Sequence, residues 1–138
     1  MTQAASVRLS NPSGLYDSSV NGYSHVAEVP AGTRLVFVAG QSGENEQGQL
    51  EPDFQAQVAR AFQNLRIALE AVGGTLQHIA KLTVYIVDHS EAKLPIYGAE
   101  LQRAFGQGPM PTCTLVPVPR LALDAMLFEV DAVACLPA

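Results

Sequence analysis

At 138 residues, with 48% hydrophobic and 15% charged side chains, the chain has the length of one ordinary domain and enough apolar material to bury a core, which excludes a disordered protein. Its formal net charge of −5 and its eight scattered lysines and arginines form no basic stripe, so nucleic-acid binding finds no support. No run is apolar enough to span a membrane, and residues 1–10 lack the apolar centre of a secretory signal, so a cytoplasmic protein without membrane contact is expected. So few charges solvate a small monomer poorly, which points to a homo-oligomer.

In chain order, residues 1–21 read as an irregular arm, dense in turn formers from Asn11 to Asn21. The runs Ser24 to Val29 and Leu35 to Ala39 flank Pro30, Ala31, Gly32 and Thr33, a spacing that predicts an antiparallel hairpin. The polar, glycine-punctuated stretch Gln41 to Gln49 predicts a surface loop. Between Asp53 and Val72, apolar residues recur at steps of three and four, drawing one stripe along a helix that starts at Pro52 and Asp53 and stops at Gly73 and Gly74. Ile79 to Val87 is β-branched and apolar, the pattern of a strand inside a covered sheet.

Ser90 to Phe105 predicts a second helix, interrupted early by Pro95. Thr112 to Val118 and Met126 to Cys135 are strand-like, joined by a segment too long for a tight turn. The order β-β-α-β-α-β-β predicts a single α+β domain over residues 1–138, with helices packed on one face of a mixed sheet.

There is no P-loop, GxSxG, HExxH or dinucleotide-binding glycine pattern. His25, His78 and His89 stand in separate elements without metal-ligand spacing, so no metal is expected. Cys113 and Cys135 lie far apart among apolar neighbours and read as reduced, buried thiols. In the last strand Leu127, Glu129, Asp131 and Val133 share one face, placing two acids side by side. A carboxylate in a largely buried strand needs a partner or a solvent-filled cleft, which makes Glu129 a candidate; the plainer reading is that these acids face solvent or pair with Lys81 or Arg34.

Several segments resemble the Rid family, the reactive-intermediate deaminases also called YjgF-like proteins. They are Gly22-Tyr23-Ser24-His25, Leu35 to Gln41 (LVFVAGQ), Asn64, Lys81 to Asp88 (KLTVYIVD) and Phe128 to Ala134 (FEVDAVA), in the family's order. The resemblance implies a chorismate-mutase-like fold and a homotrimer with clefts between subunits. It further implies hydrolysis of 2-imino and enamino acids without a cofactor, an arginine holding the substrate carboxylate and a glutamate positioning water. By the same resemblance Glu129 takes the glutamate's catalytic place, and Tyr23, Thr112 and Cys113 line the substrate site.

The arginine is replaced. Where the family reads Pro-Ala-Arg-Ser/Thr-Cys, this chain has Pro109-Met110-Pro111-Thr112-Cys113, so Pro111 stands at the arginine's position with neither charge nor backbone donor. Lys93-Leu94-Pro95 looks like the variant of subgroups that lack it, and Arg120 and Arg34 are the sequence candidates for a substitute cation. The expectation is a binder or hydrolase of a small imine-, enamine- or carbonyl-like metabolite, with 2-imino acids poor substrates. The alternative is a non-catalytic metabolite sensor or partner-binding trimer. The family's endoribonuclease and translation-inhibitor labels conflict with the acidic balance of this chain.

Overall fold

The last strand-like run of the sequence forms the middle of the main sheet. In the computed structural model, which describes residues 7–138, the strands are β1 (Arg8–Ser10), β2 (Val26–Glu28), β3 (Arg34–Ser42), β4 (Ile79–Val87), β5 (Thr112–Val118) and β6 (Phe128–Leu136). The helices are α1 (Phe54–Glu70) and α2 (Leu94–Phe105). The four-stranded sheet has the order β3-β6-β4-β5: β6 runs antiparallel to both β3 and β4, while β4 and β5 are parallel. Two parallel neighbours need a crossover, and α2 supplies it.

Both helices cover the same face. Phe54, Val58, Phe62, Leu65 and Leu69 of α1 and Tyr97, Leu101 and Phe105 of α2 pack on Leu82, Val84 and Ile86 of β4 and on Phe128, Val130 and Ala132 of β6. Asp53 caps α1 by accepting from the Ala56 amide at 2.9 Å. Gly73, at φ 85°, closes the helix, and the Gly74 amide returns to the Leu69 carbonyl at 2.8 Å.

Three sequence expectations are corrected. Val26–Glu28 does not form a hairpin with the LVFVA strand; β2 pairs with β1, whereas β3 pairs with β6. Pairing follows the longer apolar partner on β6 rather than the nearer segment across Pro30–Thr33, because β-pairing is decided by what each face can bury. Residues 1–21 are not wholly irregular, since β1 and a short 3₁₀ helix at Ser18–Asn21 lie within them; residues 1–6 of that arm lie outside the described residues. Nor does Pro95 interrupt α2, because it occupies the first turn, where a missing N–H breaks no helical bond.

Candidate functional site

The Glu129 carboxylate lies on the sheet face that the helices leave open. Alternation along β6 sends Phe128, Val130 and Ala132 into the core and Glu129, Asp131 and Val133 to the other side. Glu129 sits opposite Tyr85 of β4 and Ser42 of β3. A Cβ built on Gly40 would collide with Glu129 Oε1, so glycine at the β3 irregularity makes room for the carboxylate. The Tyr85 hydroxyl donates to Asp131 Oδ2 at 3.1 Å, and the Ser42 hydroxyl donates to Glu44 Oε1 at 2.7 Å. Burial raises the Glu129 pKa above the ordinary glutamate value, and the charges of Asp131 and Glu44 push it the same way.

Gly40→Ala is expected to swing that carboxylate toward water while changing stability by less than about 1 kcal/mol, because the clashing group is the end of a flexible side chain. An NMR titration would then show the Glu129 pKa falling back toward the glutamate norm. An unchanged titration would mean that Gly40 does not set the carboxylate's position.

Tyr23 and Cys113 meet on the helix side of the sheet, whereas Thr112, in register with Lys81, falls on the face of Glu129. The Ser24 amide donates to the Pro111 carbonyl at 3.1 Å and the Ser24 hydroxyl to the Met110 carbonyl at 2.5 Å, and Ser24 bridges Thr112. These bonds fasten Tyr23 beside the start of β5. Tyr23 and Cys113 both line a groove of about 1100 Å³ between the 3₁₀ helix, α2 and β5. The Tyr23 ring stands edge-on to those of Tyr16 and His25, with centroids 6.4 and 5.5 Å away, and its hydroxyl bonds that of Tyr16, which raises its pKa.

Cys113 is on the helix side, across from Leu82, with its sulfur 3.6 Å from the buried Tyr97 hydroxyl. Burial raises both the Cys113 and Tyr97 pKa values, which makes this thiol a poor nucleophile at neutral pH. Pro111 is itself buried and, like Thr112, lies outside the groove lining; the Thr112 hydroxyl donates to the Ala80 carbonyl at 2.6 Å.

Within one chain, therefore, the structure joins Tyr23 with Cys113 and leaves Glu129 on the far face. The cations weighed from sequence are engaged elsewhere. Lys81 Nζ donates to Thr114 Oγ1 at 2.6 Å and Arg34 Nε to the Pro137 carbonyl at 3.2 Å, so neither is paired with Glu129 or Asp131. Arg120 pairs with Asp124. Lys93 has a structural role, donating to the Val87 carbonyl at 2.8 Å with its ammonium 5.0 Å from the centre of the Phe54 ring.

The profile of the family described as Endoribonuclease L-PSP matches residues 17–136. The chain belongs to the Rid/YjgF/L-PSP family. Among Rid-family relatives it is similar to the RutC family protein YjgH of Escherichia coli, 38% identical over 103 residues that cover 75% of this chain and 76% of that protein. A RutC family protein of Pyrococcus abyssi is 34% identical over 103 residues, covering 72% and 77%. The fold matches the crystal structure of YyfB from Yersinia pestis, described as a Rid protein of unknown function, with a TM-score of 0.89 and 32% identity over 94% of this chain and 98% of that one.

Among the described residues, no cluster of three or more His, Cys, Asp or Glu could hold a metal ion, and no helix is long and apolar enough to cross a membrane. Sequence reading missed Tyr97 and Gly40. Tyr97 had a signal, since it lies four residues before Leu101 on the apolar stripe of α2; the role of Gly40 depends on the β3–β6 register, which no local pattern encodes.

Proposed function

We propose that this single-domain Rid protein works in the cytoplasm as a homotrimer, binding or hydrolysing a small imine-, enamine- or carbonyl-like metabolite in a cleft shared by neighbouring subunits. The observation that carries this reading is the separation of Glu129 from the groove of Tyr23 and Cys113 by the thickness of the sheet. A second copy on the open face would bring its own groove residues to this Glu129. That face exposes Phe37 at 74% and Leu35 at 54%, apolar area of the kind an interface covers. In the cleft Glu129 orients and deprotonates a water beside the electrophilic carbon; Tyr23 and Cys113 line the site, Thr112 supports it through its bond to the Ala80 carbonyl, and no cofactor takes part.

By the family resemblance Pro111 stands where a guanidinium would clamp a substrate carboxylate, and an arginine there would reach from a buried backbone position toward the groove that Cys113 lines two residues on. Freshly generated 2-iminopropionate should therefore be hydrolysed by the wild type little faster than by buffer, and by folded Pro111→Arg well above it. Adding Glu129→Gln to that variant should lower the rate by about 10²-fold and abolish the acid limb of its pH profile, which otherwise lies above the usual glutamate range. A double variant as fast as Pro111→Arg would remove Glu129 from the mechanism.

Stability provides a parallel check. A carboxyl whose folded pKa is raised contributes stability that is fully present below its unfolded pKa and lost as pH rises through the folded value. Glu129→Gln should accordingly be more stable than wild type at neutral pH, with the advantage gone in acid. Pro111 also favours a second reading, a sensor that binds without turnover, for which saturable binding with no product is the signature.

A further inference from the structure

The groove holding Tyr23 and Cys113 carries no positively charged side chain. None of the eight lysines and arginines lines it. Beyond the four already placed, Arg8 approaches Glu28 at 3.9 Å, Arg60 Nε donates to the Glu44 carbonyl at 3.2 Å, Arg66 bonds the Ala104 carbonyl at 3.1 Å, and Arg103 pairs with Glu100. The one charged side chain on the lining is Glu91, an exposed acid. Leu101, Met110 and Leu115 supply apolar surface, and exposed Asn21, Gln102 and Gln107 supply neutral amides.

A carboxylate entering this groove would give up hydration, gain no cation from this chain, and meet Glu91 and, in the proposed shared cleft, the neighbour's Glu129. An uncharged molecule would lose nothing comparable. Its apolar body would be desolvated against the leucines, and its carbonyl or imine would hydrogen-bond to side-chain amides. The groove, at about 1100 Å³, is also far roomier than a three- or four-carbon acid needs.

We propose that the groove selects an uncharged carbonyl or imine compound with an extended apolar body, and discriminates against 2-imino and 2-oxo acids. The proposal rests on the reading of this groove as the ligand site. Gly98 provides the test: it lines the groove from within α2, and a Cβ added there meets nothing within 4 Å. Gly98→Leu should thus push an isobutyl group into the groove from its α2 wall without strain while improving helix propensity.

The probes are ethyl 2-oxo-4-phenylbutanoate and its free acid, titrated into wild type and Gly98→Leu by NMR. The ester is expected to bind wild type saturably, at least about tenfold more tightly than the acid, and to bind Gly98→Leu at least about tenfold more weakly than wild type. If the acid binds as tightly as the ester and both are weakened by Gly98→Leu, the ligand class is wrong and the groove stands. If Gly98→Leu leaves ester binding unchanged, or wild type binds neither probe, the groove assignment falls together with the ligand class.

Discussion

Phe128→Ala is expected to lower the free energy of unfolding by about 3–5 kcal/mol, measured by urea denaturation. Phe128 is fully buried, and its ring centroid lies 6.2 Å from that of Phe54, 6.0 Å from Phe62 and 5.9 Å from Tyr97. It is thus the point where the sheet, α1 and α2 touch one another. Truncation removes the transfer free energy of a benzyl group and leaves a cavity whose walls belong to three elements. Those walls are tied by backbone hydrogen bonds and cannot all move inward. Domains of this size are stable by only about 5–15 kcal/mol, so the loss should be a large share of the total. A loss below about 1.5 kcal/mol would show that the three aromatic neighbours repack and that the junction is looser than described.

Gln57→Leu is expected to cost about 2–4 kcal/mol despite the similar side-chain volume. Gln57 lies within the apolar stripe of α1 and is 2% exposed. Its Nε2 donates to the carbonyls of Glu51 and Ala125, each at 3.1 Å, and its Oε1 accepts from the Leu127 amide at 2.8 Å. Leucine would deprive three backbone groups of their partner at once, two of them in the segment leading into β6. Glu129 is the second residue of that strand, so the same change should loosen the acid's support. The Leu127 amide should exchange with deuterium much faster in Gln57→Leu than in wild type. Protection retained there would mean that another group, or water, substitutes for the glutamine.

The elements whose identity depends on local chemistry were legible in the sequence. The alternation of Ile79 to Val87 and of Phe128 to Ala134 defines strands, the stripe from Phe54 to Leu69 defines α1, and the same alternation places Glu129 and Asp131 on one face. Gln57 was legible in principle, since it falls three residues after Phe54 and four before Ala61, where an apolar residue is the rule. Pairing was not legible. The turn formers between Val29 and Arg34 make a hairpin locally attractive, yet only the β3–β6 register reveals that β2 belongs to another sheet. The site divides along the same line: each candidate could be read on its own strand, while the opposition of Cys113 and Glu129 across the sheet requires the parallel register of β4 and β5.

The central place of β6 has a consequence for biosynthesis. This strand pairs on both sides, yet it follows the sheet's other three strands in the chain. From the time Ser42 leaves the ribosome until Phe128 to Leu136 follow, β3 has no partner in the main sheet, and β4 and β5 can form only a two-stranded fragment. Such long-range pairing slows folding and exposes unpaired edges during synthesis. A nascent chain stalled before Phe128 should therefore remain protease-sensitive, with resistance appearing abruptly once Leu136 is free.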